Sequence, residues 1–517
     1  MDILVNFLHG MLVAVQPFNL TIMVIGVLVG VIAGALPGIS FVNAMALSLP
    51  FTYLMTPLVA MFFLGGIYVG GVFGGSISSI LINIPGDPDS VPSCWDGYPI
   101  TKKGGSVRAL SIAITASAIG GLASAFLLTF VSPPFARFAL TFDQPEFFAA
   151  TLLGLVSVLT ISKDRLLLSL VSLFVGLTIA SIGSDPLYSV ARLTFGLPVL
   201  ENGIDFVVVM IGIFAIGEVL DTLSARQPAD FTVRHKAQMK LLSLRDIWRL
   251  KGPIGRGTAI GSVIGIIPGA GAAVGALVAY GMEKQVNRRG SEFGTGIEDG
   301  LAAPEASKNA TTGTAMIPLL TLGIPGSAGA AIMLAALMLH GVQPGPLLFT
   351  KNPDMIYAIF ASFTLANIFM IVVSALVARG FGLVMKTDPI ILCAFIVVLS
   401  VVGAFGVRNN IADVYFCLAF GVAGYYMKRF DFPSAPLVLG VILGPLAESY
   451  FMTSMANYNT LTVFFTRPIS ATIMAITVVF VIWALAPNIR GMLNGRGVGS
   501  SRPGTAKIVE QGDQGSK

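Results

Sequence analysis

The chain has 517 residues, 55% of them hydrophobic and only 11% charged. About a quarter of an ordinary soluble domain is charged, so a soluble enzyme, a disordered protein and a disulfide scaffold are excluded and the composition describes a polytopic membrane protein. The net charge of +5, from 31 basic and 26 acidic residues, is too small to speak for an acidic partner, and the placement of the charges says more than their sum.

In chain order, residues 1–17 read as a leading or interfacial helix. They begin Met-Asp-Ile-Leu with no basic n-region and no small-residue cleavage pattern, so no cleaved signal peptide is expected. Long, non-alternating apolar runs follow at 21–35, 106–131, 147–162, 206–220, 355–377, 389–405 and 471–485. A spanning helix needs about 20 apolar residues, whereas a barrel strand needs about 10 that alternate. Lipid offers the backbone no water, so runs of this kind must be helices. The expected fold is all-α, with about 11–13 transmembrane or re-entrant helices.

Basic residues gather in 223–257, which carries Arg226, Arg234, Lys236, Lys240, Arg245, Arg249, Lys251 and Arg256, and in the Gly- and Ser-rich tail 490–517. Positive segments stay in the cytoplasm, so both are placed there, the tail as a disordered one. The basic segment has few aromatics and sits between spans, so nucleic acid is not an expected partner. Cys94, Cys393 and Cys417 stand in no ligand spacing, which argues against a disulfide framework and a zinc site.

The interrupted runs are the informative part. Gly26, Gly30 and Gly34 lead into Pro37-Gly38, and Gly257, Gly261 and Gly265 lead into Pro268-Gly269; Pro37 and Pro268 are 231 residues apart, as are Gly26 and Gly257. A second pair follows, Asn83-Ile84-Pro85-Gly86-Asp87 and Gly323-Ile324-Pro325-Gly326-Ser327, at an offset of 240. Two motifs in the same order at nearly the same separation indicate an internal duplication, with repeats at about 25–125 and 256–380 and inverted topology favoured. Glycine at every fourth position lets another backbone approach closely. Proline removes a backbone donor and glycine permits a left-handed turn, so each Pro-Gly breaks its helix and leaves N–H and C=O groups open at membrane depth. Paired interruptions in corresponding halves point to a transporter binding site at the midplane.

Small polar residues crowd these points. Ser40 and Asn43 follow the first break, Ser78, Ser79 and Asn83 precede the second, and Lys308, Asn309, Thr311 and Thr312 precede the break at Pro325, Gly326 and Ser327. With Gly34, Pro37, Gly38, Pro85, Gly86, Asp87, Pro268, Gly269 and Gly271 they make up the candidate substrate- and ion-binding set. Hydroxyls, amides and free carbonyls suit a small hard cation such as sodium, and exposed helix N-termini suit a carboxylate. Any one Ser or Thr could instead bond back to its own helix. Glu305 and Lys308, three residues apart, could pair structurally, or Lys308 could hold an anion. Asp87 could be a cation ligand or a turn residue. Glu218 and Asp221 read as interfacial. His9, His235 and His340 do not cluster. No Walker loop, His-Glu-x-x-His motif or nucleophile elbow is present, so the chain is not read as an enzyme and no cofactor is expected.

Several of these stretches carry a family resemblance. Gly34-Ala-Leu-Pro37-Gly38, the glycine-rich run 65–87, and Gly265-Ile-Ile-Pro268-Gly269-Ala-Gly271 with Tyr280 are among them. Glu298-Asp-Gly300, Ala303-Pro-Glu305-Ala-Ser-Lys308-Asn309 and Thr321-Leu-Gly323-Ile-Pro325-Gly326 complete the set. Together they resemble the large membrane subunit of the tripartite tricarboxylate transporters (TctA-like). The resemblance covers about 18–440, leaving 441–489 as a C-terminal transmembrane region. It implies a secondary transporter of the bacterial inner membrane, in which a periplasmic solute-binding protein captures an organic anion. A small, roughly four-span membrane subunit accompanies the large one, which forms the path and is driven by a gradient of sodium, with protons as the other candidate. An elevator-like motion follows only by fold-level analogy. The alternative functions are a passive anion channel, or an exporter working without a binding protein.

Overall fold

The structure, a computed structural model, describes residues 3–36, 40–157, 166–185, 190–224, 239–384 and 389–493. Its first helices are α1 (Ile3–Ala14), α2 (Pro17–Ala35), α3 (Phe41–Thr52), α4 (Pro57–Ile82), α5 (Val91–Ile100) and α6 (Ser106–Ala139). They are followed by α7 (Gln144–Ser157), α8 (Leu166–Ala180), α9 (Phe206–Met210) and α10 (Gly217–Ser224), the last two joined by a π-helical segment, Ile211–Ile216. The second series is α11 (Leu244–Ile266), α12 (Gly271–Val286), α13 (Glu298–Thr314), α14 (Met316–Leu322), α15 (Ala328–Leu339), α16 (Leu348–Lys351) and α17 (Pro353–Val384). The chain closes with α18 (Pro389–Arg408), α19 (Ile411–Arg429), α20 (Ser434–Tyr458), α21 (Val463–Thr466) and α22 (Pro468–Leu493). Among the described residues the one β pairing joins Gly183–Ser184 to Ala191–Arg192.

This is an all-α polytopic membrane protein. Among the described residues, six rods are long and apolar enough to cross a bilayer: Pro17–Ala35, Pro57–Ile82, Pro88–Ala139, Phe206–Ser224, Pro353–Phe381 and Ser434–Tyr458. Six shorter apolar helices accompany them. Local signals set the helix starts: Thr56 accepts from the Val59 N–H ahead of Pro57, Ser243 caps α11, and Asn410 caps α19, each occupying one of the donors a helix start leaves open. α22 runs through Leu493, into the segment expected to be tail; residues 494–517, with 225–238 of the basic segment, lie outside the described residues.

The helices sort into two groups. In one, α13 packs on α6, α11 and α12, and α17 packs on α1, α2, α4 and α6. In the other, α20 packs on α7 and α8, α19 on the π-helical segment and α10, and α22 on α7. The groups meet mainly through α3, which touches α18 and the π-helical segment.

Glycine determines the tightest contacts. An added Cβ at Gly26, Gly30 or Gly34 would lie 2.2, 2.2 or 2.3 Å from the carbonyl oxygen of Phe63, Ile67 or Gly71 respectively. The partner numbers rise together, so α2 and α4 run parallel, backbone against backbone. The same holds for α11 and α13, where Gly257 and Gly261 meet the carbonyls of Ala303 and Ser307 at 2.2 and 2.0 Å. Lipid tails are as apolar as leucine, so close van der Waals packing, rather than a hydrophobic gain, holds such pairs together. The two pairs run in opposite directions. Ser76 of α4 bonds Glu305 and Lys308 of α13, while four residues further along α4, Ile80 lies with Gly97 at the level of Leu301.

Candidate functional site

α2 ends at Ala35, with Leu36 extended. α4 ends at Ile82, and Asn83 takes a left-handed conformation (φ 59°). The chain then doubles back, so that Gly86 sits against the Cα of Gly75 and the carbonyl of Gly34. Phe41, the first residue of α3, donates its N–H to Asp87 Oδ2 at 3.3 Å. The two breaks of this half are therefore one structure. Pro37 and Gly38 lie outside the described residues.

The other half repeats the arrangement. α11 ends at Ile266 with Ile267 extended, and α14 ends at Leu322 with Gly323 left-handed (φ 73°). Gly326 sits against Ala315 and the carbonyl of Gly265. Gly271 donates its N–H to the Gly326 carbonyl at 3.2 Å. Gly269 and Gly271 have φ of 77° and 66°, a region glycine enters without the steric penalty a Cβ brings.

Tyr68 joins the halves. Its ring stacks on Phe41 at 5.7 Å, and its hydroxyl shares a 2.7 Å hydrogen bond with Ser327 Oγ, which also caps α15. Beside it, the stretch Pro88–Ser90 packs against α12. Glu305 and Lys308 of α13 are fully buried and lie 3.4 Å apart. Glu305 Oε1 accepts from Ser76 of α4, at 2.7 Å, and from Ser93 of α5; Oε2 accepts from Ser117 of α6 at 2.9 Å. Lys308 donates to Ser76 and, at 3.1 Å, to Ser90. Of the two roles open to this pair, the structure shows the ion pair, clamped by hydroxyls from three helices of the first half.

The predicted residues do not all converge. Ser78 and Ser79 donate back to the Gly75 carbonyl, Thr311 to Lys308 and Thr312 to Asn309, because a hydroxyl inside a helix has a carbonyl within reach one turn back. Ser40 accepts from the Val42 N–H. Asn43 points away from the break and reaches Glu218 Oε2 at 3.2 Å. Glu218 also receives Lys428, so it bridges α3 to the second helix group and does not merely sit at an interface. Asn309 donates to the Glu305 carbonyl at 3.2 Å, while its Oδ1 has no partner among the described residues. Gly34, Pro85, Gly86, Asp87, Pro268, Gly269, Gly271, Pro325, Gly326 and Ser327 form the two break structures. Tyr68, Ser90, Ser93 and Ser117 were not foreseen as site residues. The only hint at Tyr68 is a phenol set within a glycine ladder.

At one end of the bundle Arg108 of α6 binds Glu298 of α13 at 2.8 Å and Asp246 of α11 at 2.9 Å. Asp96 Oδ1 receives the N–H groups of Gly294, Gly296 and Ile297 at 2.8–3.0 Å, and Oδ2 the Tyr280 hydroxyl. These contacts seat the N-terminus of α13 and hence Glu305 and Lys308 above it. A cavity of about 350 Å³ is lined by Pro198, Val199, Asn202, Arg408 and Asn410. Another, of about 290 Å³, is apolar and lies among Val171, Phe420 and Leu437. Neither is lined by a break residue.

The sequence model of the tripartite tricarboxylate transporter TctA family matches residues 20–439. Over 493 residues the chain is 36% identical to an uncharacterized 52.8 kDa protein in the TAR-I ttuC′ 3′ region of Agrobacterium vitis, covering 95% of this chain and 98% of that protein. It is also 37% identical over 232 residues to a protein in the TAR-II ttuC′ 3′ region of the same organism, covering 44% of this chain and 96% of that protein. No solved structure matches the chain. A multi-pass helical protein whose opened helices pair in two opposed halves is, with these matches, a membrane transport protein. The chain belongs to the tripartite tricarboxylate transporter TctA family, whose name describes a system with further subunits.

Proposed function

We propose that the chain is the large permease subunit of a tripartite secondary transporter that imports a tricarboxylate or related organic anion. A periplasmic solute-binding protein delivers the anion, a small membrane subunit of about four spans completes the complex, and a sodium gradient drives uptake. The carrying observation is the pair of opposed break structures, one at Gly34–Gly86–Asp87 and one at Gly265–Gly271–Gly326, bridged by Tyr68 and Ser327. The two repeats around them, about 25–125 and 256–380, are taken to have inverted topology, supported by the antiparallel run of α4 and α13.

The N-termini of α3, α12 and α15 present a positive dipole end to the anion's carboxylates. The carbonyl ends of α2, α4, α11 and α14 face a cation. Dehydrating both in one site couples their movement. The basic end, with Arg108, Arg249 and Arg256, faces the cytoplasm. α22 begins beside Arg467, which pairs with Glu146 just beyond the far end of α6. It therefore runs toward the basic end, which supports a cytoplasmic C-terminus in the inner membrane.

The test is uptake of di- and tricarboxylates into proteoliposomes holding the complex, with and without a sodium gradient and with and without the binding protein. Uptake that needs both is the expected result. Flux that needs neither identifies a passive channel.

A further inference from the structure

We infer that Asp87 and Asp89 form the site of a monovalent cation, sodium, and that this site fills before the organic anion can enter. The inference rests on the transport reading above and deepens it.

Four ionisable side chains pack around the break that follows α4. Asp87 and Asp89 are each 3% exposed, and Glu305 and Lys308 are 0% exposed. Glu305 and Lys308 neutralise one another, and the Glu305 oxygens are filled by three serines. An ammonium has three donors; those of Lys308 face Ser76, Ser90 and Glu305. The one buried base is thus committed to one of three buried acids.

Asp87 and Asp89 are each satisfied on one side only. Asp87 Oδ2 accepts from Phe41 and Asp89 Oδ1 from Ser90 at 2.8 Å. Asp87 Oδ1 and Asp89 Oδ2 have no hydrogen-bond partner among the described residues. Two buried carboxylates, each with a bare oxygen and two residues apart on an opened backbone, must take up a proton or a cation, and the gradient-driven transport proposed above makes it the cation. The donor set is all hard oxygen, which suits a hard cation rather than a soft metal, and the sodium gradient of the transport reading supplies that cation.

Position makes the loading ordered. Asp87 holds the N–H of Phe41, whose ring stacks on Tyr68, and the Tyr68 hydroxyl touches Ser327 at the N-terminus of α15, the helix end offered to the anion. While the aspartates are bare, their field repels a carboxylate arriving there. Once one sodium sits on them, the charge of the pair falls from −2 to −1, the repulsion at that place weakens, and the anion binds more tightly.

The purified full chain is titrated with sodium chloride against choline chloride, with thermal unfolding as the readout, and citrate binding is measured at both extremes. Sodium is expected to raise the Tm of the wild type and to tighten citrate binding at least tenfold. Asp87→Asn and Asp89→Asn should weaken the sodium response at least tenfold, and citrate affinity should lose its sodium dependence. A wild-type sodium response retained in both variants overturns the site, as does a wild type that ignores sodium. Citrate binding that is equal with and without sodium overturns the order of loading. If the variants do not fold, hydrogen exchange of the wild type decides: sodium must protect residues 83–91, and protection confined to other segments overturns the site. Sodium binding that depends on both aspartates with no binding of any tri- or dicarboxylate would leave the cation site standing and remove the anion reading.

Discussion

Lys308 Nζ lies 3.4 Å from Glu305 Oε1, three residues back along α13, with neither side chain exposed to any degree. The pair fastens the second half of the chain to Ser76, Ser93 and Ser117 of the first. Removing one partner strands the other charge in the interior, which costs about 3–5 kcal/mol. Glu305→Met and Lys308→Met should each destabilise the protein by that amount in denaturant unfolding from detergent. The double variant Glu305→Met/Lys308→Met should cost less than the two singles together, since it leaves no charge behind. Additive losses would show that the two groups do not act as a pair.

Gly30 and Gly269 serve different ends, and valine separates them. At Gly30 a Cβ would stand 2.2 Å from the Ile67 carbonyl, so Gly30→Val should push α2 off α4 and sharply reduce folded protein in the membrane fraction. Gly269 has φ of 77° at a break. Gly269→Val should leave the protein in the membrane and lower uptake at least tenfold. Normal uptake by Gly269→Val would reduce that break to a simple kink.

Tyr68→Phe deletes the hydroxyl that bonds Ser327 across the halves while keeping the ring on Phe41. A hydrogen bond of this kind contributes about 1 kcal/mol net, so the Tm should move by a few degrees at most. Uptake should fall much further, about tenfold or more, because the bridge lies between the two break structures. Equal, modest losses in stability and uptake would make the bond a packing detail.

The basic end carries its own pH signature. Hydrogen bonds from Arg108 and then Ser243 hold the Asp246 carboxyl down to about 2, from 3.8. A carboxylate depressed in the folded state contributes stability that is complete above its unfolded value and lost as the pH falls toward the folded one. The Tm gap between wild type and Asp246→Asn should therefore be constant from pH 7 to about 5 and close between about pH 4 and 2. A gap that stays open at the acid end would contradict the Arg108 contact.

Much of the site's location was readable from spacing, while its contacts were not. The recurrence of glycine ahead of Pro37 and Pro268 marked where α2 and α11 stop, and Pro85 and Pro325 marked the second breaks, because proline and glycine act on their own backbone. The hydroxyls were less readable. Ser78, Ser79, Thr311 and Thr312 looked like ligands by proximity in the chain, yet each turns back to its own helix. Asn43 went to a partner 175 residues away.

Sequence alone determined that the protein is a helical membrane protein and where its helices open, since apolar run length and the local effect of Gly and Pro need no distant partner. Tertiary structure decided which opened ends touch, that α4 and α13 run opposed, that Lys308 belongs to Glu305, and that Tyr68 and Asp89 stand between the halves. Those outcomes depend on which helix faces meet, and in lipid that choice is made by close backbone packing and buried polar pairing between residues far apart in the chain.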